Sequence, residues 1–213
     1  MMTTRLVLSL LILNLTLYMA AAIAEYTVPK QSNPTNFIKA SCKSTRYPVL
    51  CVQCLIGYAN SVRESEQQLA ITALNVSISR TRSCASFIKK MTKLRGIKPR
   101  EYRAVKDCIT NMDGSMDQLS ESAKELGLIM KGQALSEDFS WHISNVQTWV
   151  SAAMTYQTTC LDGFAGPRMD GNLKASIRDR VVSVSQVTSN ALALVNHFAS
   201  LHQTTSLTTN KKP

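Results

Sequence analysis

The 213 residues are 45% hydrophobic and carry 24 Lys and Arg against 14 Asp and Glu, a formal net charge of +10. That hydrophobic share excludes a disordered chain, and the length suffices for one domain with its own core. The positive balance comes without a nucleic-acid-reading motif, so no nucleic acid is expected; it fits an acidic protein surface, an anionic polysaccharide, or solubility alone.

Residues 1–24 read as a secretory leader. Arg5 gives a positive start, Leu6 to Met19 is nearly all apolar, and Ala22-Ile23-Ala24 suits cleavage before Glu25. A membrane anchor is the rival reading, but Asn14 and Thr16 interrupt a stretch of marginal length. No later segment is long and apolar enough to span a bilayer, so the mature form is expected off the membrane. The mature chain, 25–213, reads as one domain: an arm and α-hairpin over 25–60, a bundle over 61–201 and a frayed tail over 202–213.

The hairpin comes first. Residues 36–44 and 48–60 are helical pieces too short to stand alone, with Pro48 starting the second. A Cys42–Cys51 bond would clip them together and constrain the unfolded hairpin, worth roughly 2–3 kcal/mol.

Four long amphipathic segments follow. Residues 61–95 open on Ser61 and Glu64, spaced as a capping box. They carry one stripe through Leu69, Ala73, Val76, Phe87, Met91 and Leu94, and a second through Ile71, Leu74, Ile78, Ala85 and Ile88. Residues 99–126 start at Pro99 and stop at Gly127. Tyr102, Val105, Ile109, Met112, Met116, Leu119, Ala123 and Leu126 step by three and four, the seam of a bundle helix about 42 Å long. Residues 137–164 follow Ser136 as N-cap and run through Phe139, Ile143, Val146, Val150, Ala153, Cys160 and Phe164. Gly166-Pro167 breaks the pattern. Residues 172–201 then carry Leu173, Ile177, Val181, Val184, Ala191, Leu194 and Phe198. Short connections and no alternating strand pattern predict an all-α, up-down-up-down four-helix bundle with an N-terminal α-hairpin. Charge is uneven along it: 61–98 hold eight Lys and Arg against Glu64 and Glu66, whereas 132–166 hold three acids and no Lys or Arg.

All six cysteines lie beyond the leader and would enter an oxidising compartment. They allow 15 pairings, and sequence alone does not choose. Cys160 lies on the stripe of its segment and Cys108 precedes Ile109, so both would face the interior and a bond between neighbouring helices is open to them. Cys51-Val-Gln-Cys54 lacks the fold context of a redox motif. His142, His197 and His202 show no ligand spacing with the cysteines, so neither metal nor cofactor is expected. No Gly-x-Ser-x-Gly, phosphate loop or metal motif occurs, which argues against an enzyme. His142, beside Ile143, reads as core packing, and the helical Ser and Thr residues read as solvated. Trp141 and Trp149 read as bundle or hairpin packing, or as an aromatic anchor at an interface. Asn75-Val76-Ser77 is an N-glycosylation acceptor, with Asn75 pointing partly outward because Val76 belongs to the inner stripe.

Several pieces then carry a resemblance: the Cys-x8-Cys hairpin ahead of four helices, Asp107-Cys108, "WVSAAMTYQTTCLDGF" (149–164) and "SNALALVN" (189–196). Together they resemble the plant invertase and pectin methylesterase inhibitor family over nearly all of the mature chain. The resemblance implies a four-helix bundle with a leading α-hairpin and disulfides Cys42–Cys51 and Cys108–Cys160. It leaves Cys54 and Cys84 as buried thiols or a third bridge. It also implies a secreted protein of the apoplast and cell wall that inhibits a pectin methylesterase by lying across its pectin-binding cleft, one to one. Inhibition of an acid invertase, or direct binding of anionic de-esterified pectin, are the alternatives. Family members often read Asp-Cys-x-Glu-x-Tyr-x-Asp-Ala where this chain reads "DCITNMDGS", so Thr110 stands for Glu, Met112 for Tyr and Gly114-Ser115 for Asp-Ala. Asp117 is the acid that remains. Arg80, Arg82, Thr110 and Asp117 are the candidate enzyme-contact residues.

Overall fold

The computed structural model describes residues 33–130, 138–166, 169 and 171–209. The expected leader, most of the arm, the Ser136 cap and residues 210–213 lie outside them. In chain order come α1 (Pro34–Cys42), α2 (Pro48–Leu55), a 3-10 turn (Ile56–Tyr58) and α3 (Ala59–Val62). Then come α4 (Glu66–Met91), α5 (Pro99–Met130), α6 (Phe139–Asp162) and α7 (Asn172–Thr209). The last four close a ring in which α4 meets α5 and α7, and α6 meets α5 and α7. This is the all-α four-helix bundle that the periodicity predicts, with no strand among the described residues.

Several boundaries differ from expectation. The cap of α4 is Ser65, whose side chain accepts from the Gln68 N–H at 3.2 Å, and not the Ser61–Glu64 pair. Ser61 belongs to α3, and Arg63 and Glu64 turn the chain in left-handed backbone at φ 49° and 63°. Gly127 does not stop α5, which continues to Met130 because Ile129 still packs against the core. The end expected to fray is helical as far as Thr209.

The core falls into two buried clusters. The first joins Ile38, Cys42, Cys51 and Leu55 of the hairpin to Leu69, Leu74, Leu119, Val146, Val150 and Leu194 of the bundle. The second holds Cys84, Ile88, Val105, Cys108, Met112, Cys160, Ile177 and Val181. The hairpin, expected as an extension of the bundle, is thus built into its core. Asn190 of α7 fastens it further: its Oδ1 accepts from the Tyr47 N–H at 3.0 Å and its Nδ2 donates to the Tyr47 carbonyl at 2.9 Å.

The core also contains a polar layer. One residue from each long helix meets there: Ser77, Ser115, Gln157 and Thr188, all 0% exposed. Gln157 Nε2 donates to Ser115 Oγ and Thr188 Oγ1, each at 3.0 Å. Thr188 donates to the Val184 carbonyl, so in the 2.7 Å contact between Ser77 and Thr188 the donor is Ser77. This corrects the predicted α5 seam. Its inner line runs Val105, Cys108, Met112, Ser115, Leu119, Ser122 and Leu126, whereas Tyr102 is 41% exposed and Ile109 and Met116 are half-buried. Serine is stable at these positions because its hydroxyl is bonded; Ser122, for example, donates to the Gln118 carbonyl at 2.8 Å. Gln157→Ala would open a cavity and strip two hydroxyls of a donor. We expect a loss of about 2–3 kcal/mol in a denaturant titration, with helicity unchanged.

Candidate functional site

The described residues contain no group of three or more His, Cys, Asp or Glu that could hold a metal ion. His142 does not pack apolarly as expected. Its Nδ1 lies 2.8 Å from Glu125 Oε1, and Asn145 Nδ2 donates to the same oxygen at 3.2 Å. The trio ties α6 to α5.

What stands out is the outer surface of α6. From Phe139 to Leu161 it has no Asp, Glu, Lys or Arg. Ser140, Ser144, Thr148, Ser151, Thr155 and Thr158 recur every three or four residues and are exposed, while Ile143, Val146, Val150, Ala153, Gln157 and Cys160 are buried. The two lines occupy opposite sides of one helix. From Ser144 onward each of these hydroxyls, and that of Thr159, donates to the carbonyl four residues back, at 2.8–3.2 Å. These side chains are therefore folded onto their own backbone rather than simply solvated. The result is a low, neutral ridge whose hydroxyl donors are already satisfied from Ser144 onward. Burying it under another protein requires no charge to be desolvated.

Aromatic and polar groups border the ridge. Trp141 is 62% exposed, which overturns the packing reading for that residue, whereas Trp149 is half-buried. Tyr156 lies across Gly114 of α5, where an added Cβ would meet the ring at 3.0 Å. Thr110 and Asp117, one turn before and one turn after Gly114, are exposed. The departures at 114 and 115 thus have structural consequences: Gly114 makes room for Tyr156, and Ser115 joins the polar layer.

The other candidates are dispersed. Arg80 and Arg82 are both exposed, but residues two apart on a helix do not share a face. Arg80 lines a groove between α4 and α7 that Arg82 does not reach, so the four contact candidates do not form one patch. Asn75 is exposed, but Ser77 of the same acceptor motif is buried in the polar layer.

Cys42 is bonded to Cys51, with Cα atoms 5.7 Å apart, and Cys108 to Cys160, at 4.2 Å. Cys54 and Cys84 are free and make no third bridge. They are held apart by the core itself: Cys54 packs on the first cluster and Cys84 sits inside the second. Burial pushes the Cys84 thiol up from 9.0 to about 11, with the Arg180 charge pulling the other way. The folded state thus favours the protonated thiol. Its contribution is fully present below pH 9 and is lost as pH rises towards 11, up to about 2–3 kcal/mol. Cys84→Ala should flatten that part of the stability profile, measured by denaturant titration from pH 8 to 11.

Comparison with known proteins gives the lineage. Residues 36–194 match the family model described as plant invertase/pectin methylesterase inhibitor. The chain is 52% identical to pectinesterase inhibitor 9 of Arabidopsis thaliana over 174 residues, covering 80% of this chain and 84% of that one. It is 45% identical to the 21 kDa protein of Daucus carota over 188 residues, covering 88% and 96%. The crystal structure of mutant form A of a pectin methylesterase inhibitor from Arabidopsis has the same fold, with a TM-score of 0.56 at 22% identity, covering 78% of this chain and 97% of that one.

Proposed function

The chain belongs to the plant invertase/pectin methylesterase inhibitor family, and we propose that it inhibits a pectin methylesterase by seating the α5–α6 face over the enzyme's substrate cleft. It acts as a binding protein, not as an enzyme. The complex is one to one, and the block is steric. The observation that supports this face is the uncharged ridge of α6, with Trp141 and Tyr156 at its edge and Thr110 and Asp117 beside it. Interface centres are poor in charge and rich in aromatic anchors, and charges at the rim set association rate and salt dependence. Such an interface buries apolar surface as well, so salt weakens it only in part.

The leader-like N-terminus supports secretion into the cell-wall space, where a pectin-modifying enzyme would be met. A sugar on Asn75 would stand on α4 and leave α6 uncovered. Because the Ser77 hydroxyl is buried in the bundle, that sugar would have to be added before α4 packs.

The test is to assay several plant pectin methylesterases and an acid invertase side by side with the purified mature protein. Esterase activity is expected to fall to near zero at one equivalent, with invertase unaffected. Invertase inhibition without esterase inhibition would overturn the assignment.

A further inference from the structure

On the opposite side of the four-helix ring from the α5–α6 face lies the groove between α4 and α7, of about 500 Å³. We propose that this groove binds a uronate residue of a de-esterified pectin chain, with Arg80 and Arg180 gripping the sugar carboxylate. Its volume falls in the ordinary range for a small-molecule site. The two guanidinium groups come from different helices, and neither is ion-paired with a carboxylate among the described residues.

Arg180 is already ordered for this task. Its Cζ lies 3.8 Å over the Phe87 ring centroid. A guanidinium stacked on a ring keeps its edge N–H groups free, and these match a carboxylate in two-point fashion. The stacking also reduces the side-chain entropy lost on binding.

The rest of the lining selects among anions. Asp179 is a carboxylate within the groove, and Ser83 and Ser183 supply hydroxyls. A compact dianion such as phosphate would be repelled by Asp179. A sugar acid instead offers hydroxyl hydrogens to Asp179 and a single negative charge to the arginines. A methyl ester removes that charge, so the groove distinguishes the product of a pectin esterase from its substrate. Because the groove and the α5–α6 face are on opposite sides, both can be occupied at once.

Isothermal titration calorimetry on the mature protein tests this, using unesterified and fully methyl-esterified oligogalacturonides of equal length, with inorganic phosphate as a third probe. The unesterified oligomer is expected to bind at least roughly tenfold more tightly than the ester or phosphate. Arg80→Ala and Arg180→Ala should each weaken it about tenfold. Arg178→Ala is the control: it removes the same charge from an exposed position on α7 outside the groove and should leave binding within about twofold. Circular dichroism checks that each variant is folded. Equal loss in Arg178→Ala and Arg180→Ala would reduce the effect to general charge and overturn the site. So would equal binding of the two oligomers, phosphate binding as tight as the uronate, or no binding. None of these outcomes depends on the result of the esterase assay.

Discussion

Thr148→Arg should weaken esterase inhibition at least about 100-fold while shifting the thermal midpoint by no more than about 2 °C. Thr148 sits midway along the α6 ridge, and its hydroxyl donates to the Ser144 carbonyl. Arginine there puts a long charged side chain into a surface that otherwise needs no charge desolvated. An unpaired charge buried at an interface costs several kcal/mol, and each 1.4 kcal/mol is about a tenfold change in affinity. Stability should hardly change, since the position is exposed and arginine suits a helix. Ser86→Arg, an exposed change on α4, adds the same charge away from the ridge and should leave inhibition within about threefold. An inhibition titration measures both. Equal loss from the two variants would mean that total charge, not the ridge, governs binding.

Loss of the Cys108–Cys160 bond should have the largest effect on stability. The bond joins α5 to α6 across 52 residues of sequence, whereas Cys42–Cys51 spans nine. By loop-closure entropy the longer link is worth about 4 kcal/mol and the shorter about 2.5 kcal/mol. Replacing both members of the long link by alanine should lower the thermal midpoint by about 8–15 °C, and replacing both members of the short one by less. Cysteine pairs must be replaced together, because a lone buried thiol would mix cavity and redox effects with the loss of the link. Calorimetry under non-reducing conditions gives the order. A larger loss from the hairpin pair would mean that its docking through Ile38, Leu55 and the Asn190–Tyr47 bonds fails with it.

The fold was legible because apolar residues recur at helical spacing over long segments. Val105, Met112, Leu119 and Leu126 alone fix the core side of α5. Of the alternate inner positions only Cys108 was legible, as a residue facing the interior. Ser115 and Ser122 look less apolar than Ile109 and Met116; they suit the interior because Ser115 accepts from Gln157 of α6 and Ser122 donates to the Gln118 carbonyl. The α4 cap was missed because the capping-box spacing of Ser61 and Glu64 says nothing about the left-handed pair that follows Val62. At the candidate site, sequence pointed to charge, at Arg80 and Arg82. The structure draws attention instead to a helix that has none. A signal was present: no Lys or Arg over 132–166, with Ser or Thr at every third or fourth position of α6. Read alone, such residues look like solvated surface. Their back-bonding to the helix is what makes them a low, satisfied ridge.

The most direct measurement of the account is the structure of the protein bound to a pectin methylesterase. The α6 ridge should lie on the rim of the enzyme's cleft, with Thr148 and Ser151 in van der Waals contact, Trp141 at the edge and Asn75 facing solvent. A complex in which α4 meets the enzyme while Thr148 and Ser151 stay open to solvent would contradict it.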